Sequence, residues 1–213
     1  MASVTRILIV DDHAVVRQGL KHILAEAHPG SVFAEAENGT EALRYLHQRQ
    51  WDLLILDINM PGRSGLEILK DVRYEHPELP ILMLSVYPED QYAVRVLRAG
   101  ASGFLTKQSA PDELIQAVSK VLSGGKYISA SVAEKLVSHL DTASDRLPHE
   151  QLSDREFQVL CLLASGKTPT EIADSLSLSV KTISTFRTRI MNKMDMRNNA
   201  ELTHYALEHK LID

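Results

Sequence analysis

Within residues 1–125, short uninterrupted apolar runs alternate five times with longer amphipathic stretches. This alternation constrains the fold more than any other feature of the 213-residue chain. The runs are Arg6–Asp11, Val32–Ala36, Leu53–Asp57, Ile81–Ser85 and Gly103–Thr106. Short continuous runs rich in Ile, Leu and Val are what strands buried on both faces require. Between them the apolar residues recur at helical spacing, over Ala14–Ala27, Thr40–Gln48, Gly65–Arg73, Glu89–Ala99 and Pro111–Ser123. Alternating strand and helix predicts a parallel sheet with helices on both faces. Right-handed crossovers then reduce the topology to an α/β doubly wound five-stranded sheet, of order 2-1-3-4-5.

Gly124-Gly125 ends the fifth helix, and the pattern changes after it. A short helix is expected over Ser131–Leu140, followed by a polar stretch at 141–151 that reads as a linker. Beyond it there is no strand pattern, only helices with visible start signals. Ser153 to Glu156 and Thr168 to Glu171 are capping boxes, the second with Pro169 at the first helical position. Ser179 precedes Val180–Met194, and Asn198 opens a last helix of sequence LTHYALEHK. The expected organisation is an α/β domain over 1–125, a linker with a short helix over 126–150, and an all-α four-helix domain over 151–213.

In open α/β sheets, ligands bind outside the carboxyl ends of the strands. The first strand ends in Asp11-Asp12, the third in Asp57, the fourth in Ser85 and the fifth in Thr106-Lys107. Three carboxylates that converge cannot all stay ionised without a counter-charge. Mg²⁺ fits, because it prefers oxygen ligands and retains waters and phosphate oxygens. A lysine and a hydroxyl beside it suit a phosphoryl group, and one carboxylate could be the nucleophile of an aspartyl phosphate. Taken singly, an Asp at a strand end is more often a cap or turn residue. Four rim positions with one compatible set of groups outweigh that reading. His13 invites a metal reading as well, but it begins a helix and a solvent-facing role is expected. Met60-Pro61-Gly62 reads as turn chemistry.

LIVDDH at 8–13, LLILDINMPGRSGLEIL at 53–69, MLSVY at 83–87 and AGASGFLTKQSAPDEL at 99–114 resemble the receiver domain of bacterial two-component response regulators. The motifs fall in the family's order and spacing over nearly all of residues 5–123. The resemblance implies that Asp57 accepts a phosphoryl group from a sensor histidine kinase. It implies Mg²⁺ held by Asp12 and Asp57, with Asp11 acting through water and the Asn59 main-chain carbonyl as a further ligand. Lys107 would pair with the phosphoryl oxygens and Ser85 would move to hydrogen-bond them. Phe104 would be the aromatic that turns inward as Ser85 moves, a place that an ordinary core phenylalanine would also fill. Gln108 departs from the proline that many receivers carry after the lysine.

In the second domain, two short helices joined by Leu176–Ser179 make a helix-turn-helix candidate. Between Leu176 and Met194 stand Lys181, Arg187, Arg189 and Lys193, with no acidic residue. Thr182, Ser184 and Thr185 add hydroxyls, and Ile183, Ile190 and Met194 form an apolar stripe. A major-groove helix needs phosphate donors, side chains for base edges and one buried face. Residues 152–212 resemble the four-helix DNA-binding domain of the LuxR/NarL type, so the whole chain resembles the NarL/FixJ family. Ser184 and Phe186 depart from the commoner Lys and His, which removes one positive charge. The resemblance implies promoter DNA as a partner, homodimers on activation through a surface that includes the last helix (199–209), and RNA polymerase as a further partner.

The lone Cys161 can form no internal disulfide, and it lies on an apolar helix face as a structural thiol. No signal peptide or membrane-spanning run is visible, so the expected setting is the cytoplasm. Two rival readings use the same residues. A phosphatase or phosphotransferase would need a general acid or base near Asp57, where position 59 is Asn. An adaptor for protein or RNA would leave the basic helix without a role on DNA. The net charge of −5 speaks at first against a strongly basic nucleic-acid binder, but as an average over unlike parts it does not test DNA binding. It divides into 12 basic against 16 acidic residues over 1–125, 3 against 4 over 126–150, and 8 against 8 over 151–213. The basic helix thus lies inside a neutral domain.

Overall fold

A computed structural model describes residues 4–86, 89–129, 132–133 and 147–212. The short helix expected over Ser131–Leu140, apart from two residues, and positions 141–146 of the expected linker lie outside the described residues. The chain divides into two compact units, Met1–Val132 and Ala133–Asp213.

The first unit alternates β1 (Arg6–Val10), α1 (Ala14–Ala27), β2 (Val32–Ala36), α2 (Gly39–Gln48), β3 (Leu53–Asp57), α3 (Gly65–Glu75), β4 (Ile81–Ser85), α4 (Glu89–Arg98), β5 (Gly103–Thr106) and α5 (Pro111–Leu122). The five strands are parallel in the order β2-β1-β3-β4-β5. β3 and β4 are buried throughout, which is why they read as unbroken apolar runs. On one face, Ile7, Ile9, Leu53, Ile55, Leu82, Leu84 and Leu105 pack with Leu24 of α1 and with Leu114, Ala117, Val118 and Val121 of α5. Alternate strand residues point to the opposite face.

Small shifts from the expected boundaries have local causes. β1 stops at Val10, one residue before Asp11, whose side chain turns to a different task. α2 begins at Gly39 because the Asn38 side chain caps it, accepting from the Glu41 N–H at 2.9 Å. α3 runs two residues beyond Arg73 to Glu75. After α5, Tyr127 returns to the β5 edge and its N–H donates to the Ser102 carbonyl at 2.9 Å. A Cβ at Gly103 would stand 2.9 Å from the Tyr127 oxygen, so the edge strand needs glycine there.

In the second unit, the described residues from 147 onward open with a 3₁₀ turn at Pro148–Gln151. Four helices follow: α6 (Asp154–Ala164), α7 (Pro169–Leu176), α8 (Val180–Met194) and α9 (Asn199–Glu208). Each begins with a polar cap, at Ser153, Thr168, Ser179 and Asn198. Ser177 takes the left-handed conformation (φ 53°) at the end of α7 and lets the chain turn into α8 within three residues. Ile183, Ile190, Met191 and Met194 give α8 its buried stripe, and Cys161 is buried on α6. Among the described residues, no helix is long and apolar enough to cross a membrane.

Candidate functional site

Strand register sets the geometry of the first site. Asp57 pairs with Leu84, and Ser85 pairs with Thr106. Asp57, Ser85 and Lys107 therefore reach the same rim, and Asp11 follows directly on Val10, which pairs with Leu56. Asp11, Asp57 and Ser85 are wholly buried.

Lys107 Nζ lies 2.6 Å from Asp11 Oδ2 and donates to Asp57 Oδ2 at 2.8 Å. The other Asp57 oxygen accepts from the Asn59 N–H at 3.1 Å. Asp12 is partly exposed. One oxygen or nitrogen from each of Asp11, Asp12, His13 and Asp57 falls within 4.8 Å of the others. Ser85 Oγ stands 3.5 Å from Asn59 Oδ1. Phe104 is already buried in β5, in register with Met83.

Burial pushes the Asp57 carboxyl up to about 6, and the Asp11 charge adds to that. Lys107 and the Asn59 N–H pull it partway back. Burial alone would lower the Lys107 ammonium, but Asp57 and Asp11 outweigh it and hold the group above the ordinary lysine value. Three carboxylates and one ammonium leave the pocket short of two positive charges. An all-oxygen carboxylate set with that deficit fits a hard divalent cation. The acidic cluster is consistent with such a site.

Two supports, Arg17 and Gly65, escaped the sequence reading, and His13 stands closer to the acids than the solvent-facing role expected of it. Arg17 Nη1 donates to the Asp11 carbonyl at 2.6 Å, while its Nε lies 3.5 Å from Glu35 on β2. The arginine thus ties the first acidic residue to the neighbouring strand. Gly65 opens α3 with its N–H on the Ile58 carbonyl, at 3.0 Å. A Cβ there would lie 1.9 Å from the Asp57 carbonyl oxygen, so only glycine lets α3 start so close to the site. His13 is mostly exposed, at 64%, yet its Nδ1 is turned back to 2.8 Å from Asp12 Oδ1 and 3.3 Å from Asp11 Oδ1.

The second candidate site is the outer face of α8. Lys181, Ser184, Thr185 and Arg189 are exposed, whereas Thr182 and Arg187 are partly covered. Thr182 N–H donates to the Ser179 cap at 3.0 Å. Ser184 Oγ donates to the Val180 carbonyl at 2.9 Å and Thr185 Oγ1 to the Lys181 carbonyl at 3.0 Å. Those hydroxyls keep acceptor lone pairs for a ligand. Arg187 Nε donates to Asn199 Oδ1 at 2.8 Å. Lys193, itself exposed, stands 2.6 Å from the nearly buried carboxylate of Glu156. Burial would raise the Glu156 carboxyl, but Lys193 and the Ser153 backbone and hydroxyl hold it below the usual range. Glu156 thus caps α6 and anchors the end of α8 together.

Comparison with known proteins covers both units. Residues 7–119 match the response regulator receiver domain, and residues 150–206 match the bacterial regulatory proteins of the luxR family. Response regulator UvrY of Escherichia coli K12 is 34% identical over 208 residues, covering 97% of this chain and 95% of that protein. Response regulator GacA of Pseudomonas protegens is 36% identical over 208 residues, covering 98% of each. Among solved structures, RcsB of Salmonella enterica serovar Typhimurium aligns with a TM-score of 0.65 at 29% identity, over 95% of this chain and 98% of that one. That RcsB is bound to promoter P1flhDC in the presence of the phosphomimetic BeF3-.

Proposed function

This chain belongs to the NarL/FixJ family of two-component response regulators, and on that premise we propose that Asp57 is phosphorylated by a partner sensor histidine kinase. The chain is a DNA-binding regulator of transcription and not a conventional enzyme. The observation that carries the proposal is the position of Asp57: it is buried at a strand end, shares Lys107 with Asp11, and stands in an acidic pocket short of positive charge.

In the transfer, an Asp57 oxygen attacks the phosphorus of a phosphohistidine. The P–N bond breaks and the imidazole leaves with its electron pair. Asp11, Asp12, Asp57 and the Asn59 main-chain carbonyl would hold Mg²⁺, which supplies charge neutralisation for the phosphoryl oxygens when bound. Lys107 already faces Asp57 Oδ2 and would turn its ammonium to the new anion. Ser85 Oγ would leave Asn59 for a phosphoryl oxygen, with Phe104 filling the space that movement opens. The phosphorylated arrangement gains these bonds and the unphosphorylated one does not, so the population shifts.

We assign the DNA-reading role to α8. Lys181, Arg187, Arg189 and Lys193 supply the positive field and phosphate contacts, and Thr182, Ser184 and Thr185 face the bases. Two copies would read two half-sites, with α9 contributing to the contact, where Leu207 is half exposed. The setting we assign is the cytoplasm, with residues 126–150 as the linker and RNA polymerase engaged at the promoter. The test is fluorescence anisotropy on genomic fragments selected with the BeF₃⁻-treated protein. BeF₃⁻ should tighten binding about tenfold, and Asp57→Asn should abolish that gain while leaving unstimulated binding intact. A gain that survives in Asp57→Asn refutes the switch.

A further inference from the structure

Lys181, Ser184, Thr185, Thr188 and Arg189 recur at helical spacing along α8, and all of them are exposed. They form one stripe with a cation at each end and hydroxyls between. Thr188 thereby joins the two hydroxyls of the stripe already assigned to the bases.

The hydroxyls share one hydrogen-bonding state. Ser184 Oγ donates to the Val180 carbonyl at 2.9 Å, Thr185 Oγ1 to the Lys181 carbonyl at 3.0 Å, and Thr188 Oγ1 to the Ser184 carbonyl at 3.0 Å. A hydroxyl has one proton and two lone pairs. With each proton spent on the helix, only lone pairs are left for a ligand. Ser and Thr can in general donate to a base or accept from one. Here donation would first cost the bond to the helix carbonyl, so acceptance is favoured. Ser184 to Thr188 spans about 6 Å of helix axis. That length faces two or three adjacent base pairs, at about 3.4 Å per step.

We propose that Ser184, Thr185 and Thr188 read the operator as hydrogen-bond acceptors, and so recognise exocyclic amino groups in the major groove, N6 of adenine and N4 of cytosine. The O6 and N7 of guanine are acceptors themselves and gain nothing from these residues. Lys181 and Arg189 carry donors only and face acceptors at the two ends of the stripe. The inference rests on α8 being the DNA-reading helix, and it adds which base edges the centre of that helix selects. A merely solvated face accounts for these residues less well. Ser and Thr are weaker helix formers than Ala, Lys or Glu, and at exposed positions they gain no packing in return.

The experiment uses the full-length chain treated with BeF₃⁻. Selection from a randomised duplex library supplies an operator. Copies of it then carry single replacements: adenine by purine, which lacks the N6 amino group, cytosine by a pyrimidinone that lacks the N4 amino group, and guanine by its analogue with carbon in place of N7. Fluorescence anisotropy compares the parent protein with Ser184→Ala, Thr185→Val and Thr188→Val. Valine keeps the shape of threonine and removes its lone pairs. Loss of an amino group under the stripe should weaken the parent about fivefold. Each variant should lose about as much on the intact operator and less than about twofold more on the copy that lacks its amino partner. A structural role alone would lower affinity equally on every copy. A parent that tolerates every amino deletion, variants as sensitive to those deletions as the parent, or coupling only to guanine N7 overturns the acceptor reading and leaves α8 as the DNA-reading helix. Failure of the parent to select any sequence overturns that assignment as well.

Discussion

Replacing Asp57 with Asn should make the first unit more stable, not less. Asp57 is wholly buried, and its carboxyl titrates at about 6 in the fold against an ordinary 3.8. A raised folded value means that the fold penalises the ionised form. The penalty is absent below the unfolded value, grows between the two, and is complete above about pH 6. A shift of roughly two units corresponds to about 3 kcal/mol, at about 1.4 kcal/mol per unit. Asn removes the charge and keeps an oxygen for the Asn59 N–H, and Lys107 keeps Asp11 as its partner at 2.6 Å. In EDTA at pH 7.5, Asp57→Asn should therefore gain up to about 3 kcal/mol over the parent protein. The gain should shrink toward zero near pH 4. Mg²⁺ should narrow the gap at pH 7.5 by stabilising the parent more than the variant. Trp51 is the sole tryptophan and is buried in the first unit, so urea unfolding followed by its fluorescence reports that unit. A variant that is less stable at pH 7.5, or a difference that does not change with pH, refutes the argument from burial.

Gly65→Ala should destabilise the first unit by about 1–3 kcal/mol through overpacking, and it should also slow phosphorylation by acetyl phosphate, because the added Cβ meets the Asp57 carbonyl; Trp51 unfolding and phosphoprotein mass measure both. Lys181→Ala and Arg189→Ala should each weaken DNA binding and reduce the salt slope by about one, which anisotropy at several salt concentrations will show. Lys193→Met should act first on stability, lowering that of the second unit by about 1 kcal/mol after solvent screening of the half-exposed lysine is allowed for. Because the folded Glu156 carboxyl lies below its ordinary value, the stability that it contributes is present above pH 4.5 and is lost as pH falls. The Lys193→Met deficit, followed by circular dichroism of the melt, should fade over that range.

The parts that were legible in the sequence are those that obey a period or a terminus. Five apolar runs and the handedness of crossovers lead to the observed strand order. Once the strands are aligned, strand ends alone bring Asp11, Asp57, Ser85 and Lys107 to one rim, because parallel register places all carboxyl ends on the same side. Capping boxes announce α6 and α7 for the same reason: the signal is local and lies within four residues. The supports were not legible. Arg17 on the Asp11 carbonyl, Arg187 on Asn199, and Lys193 on Glu156, 37 residues away, are choices made by long side chains among tertiary neighbours. No spacing encodes them. Glu156 was visible as a cap, but its second partner depends on where the end of α8 arrives. Gly65 was visible only as the first residue of an expected helix, and the reason for its lack of a Cβ is a contact with Asp57.

The charge pattern then takes on a mechanical meaning that the whole-chain value of −5 conceals. The first unit carries its excess of acid partly at a buried rim, where one ammonium faces Asp11 and Asp57 at once. A lysine shared in this way is available to whichever anion is strongest. In the resting pocket it divides its bonds between two carboxylates, and a phosphoryl group on Asp57 would outbid both. The pocket that is least satisfied at rest is therefore the one whose bonds change most when the group arrives, and differential bonding of that kind is what a two-state switch requires. The second unit has the complementary design. Its residues 151–213 carry no net charge, and Lys193 and Arg187 already have protein partners, so the exposed positive charge on α8 is small. Weak non-specific attraction to DNA leaves a pair of such helices dependent on being brought together. On the proposed function, occupancy would then follow the state of Asp57 rather than the concentration of protein.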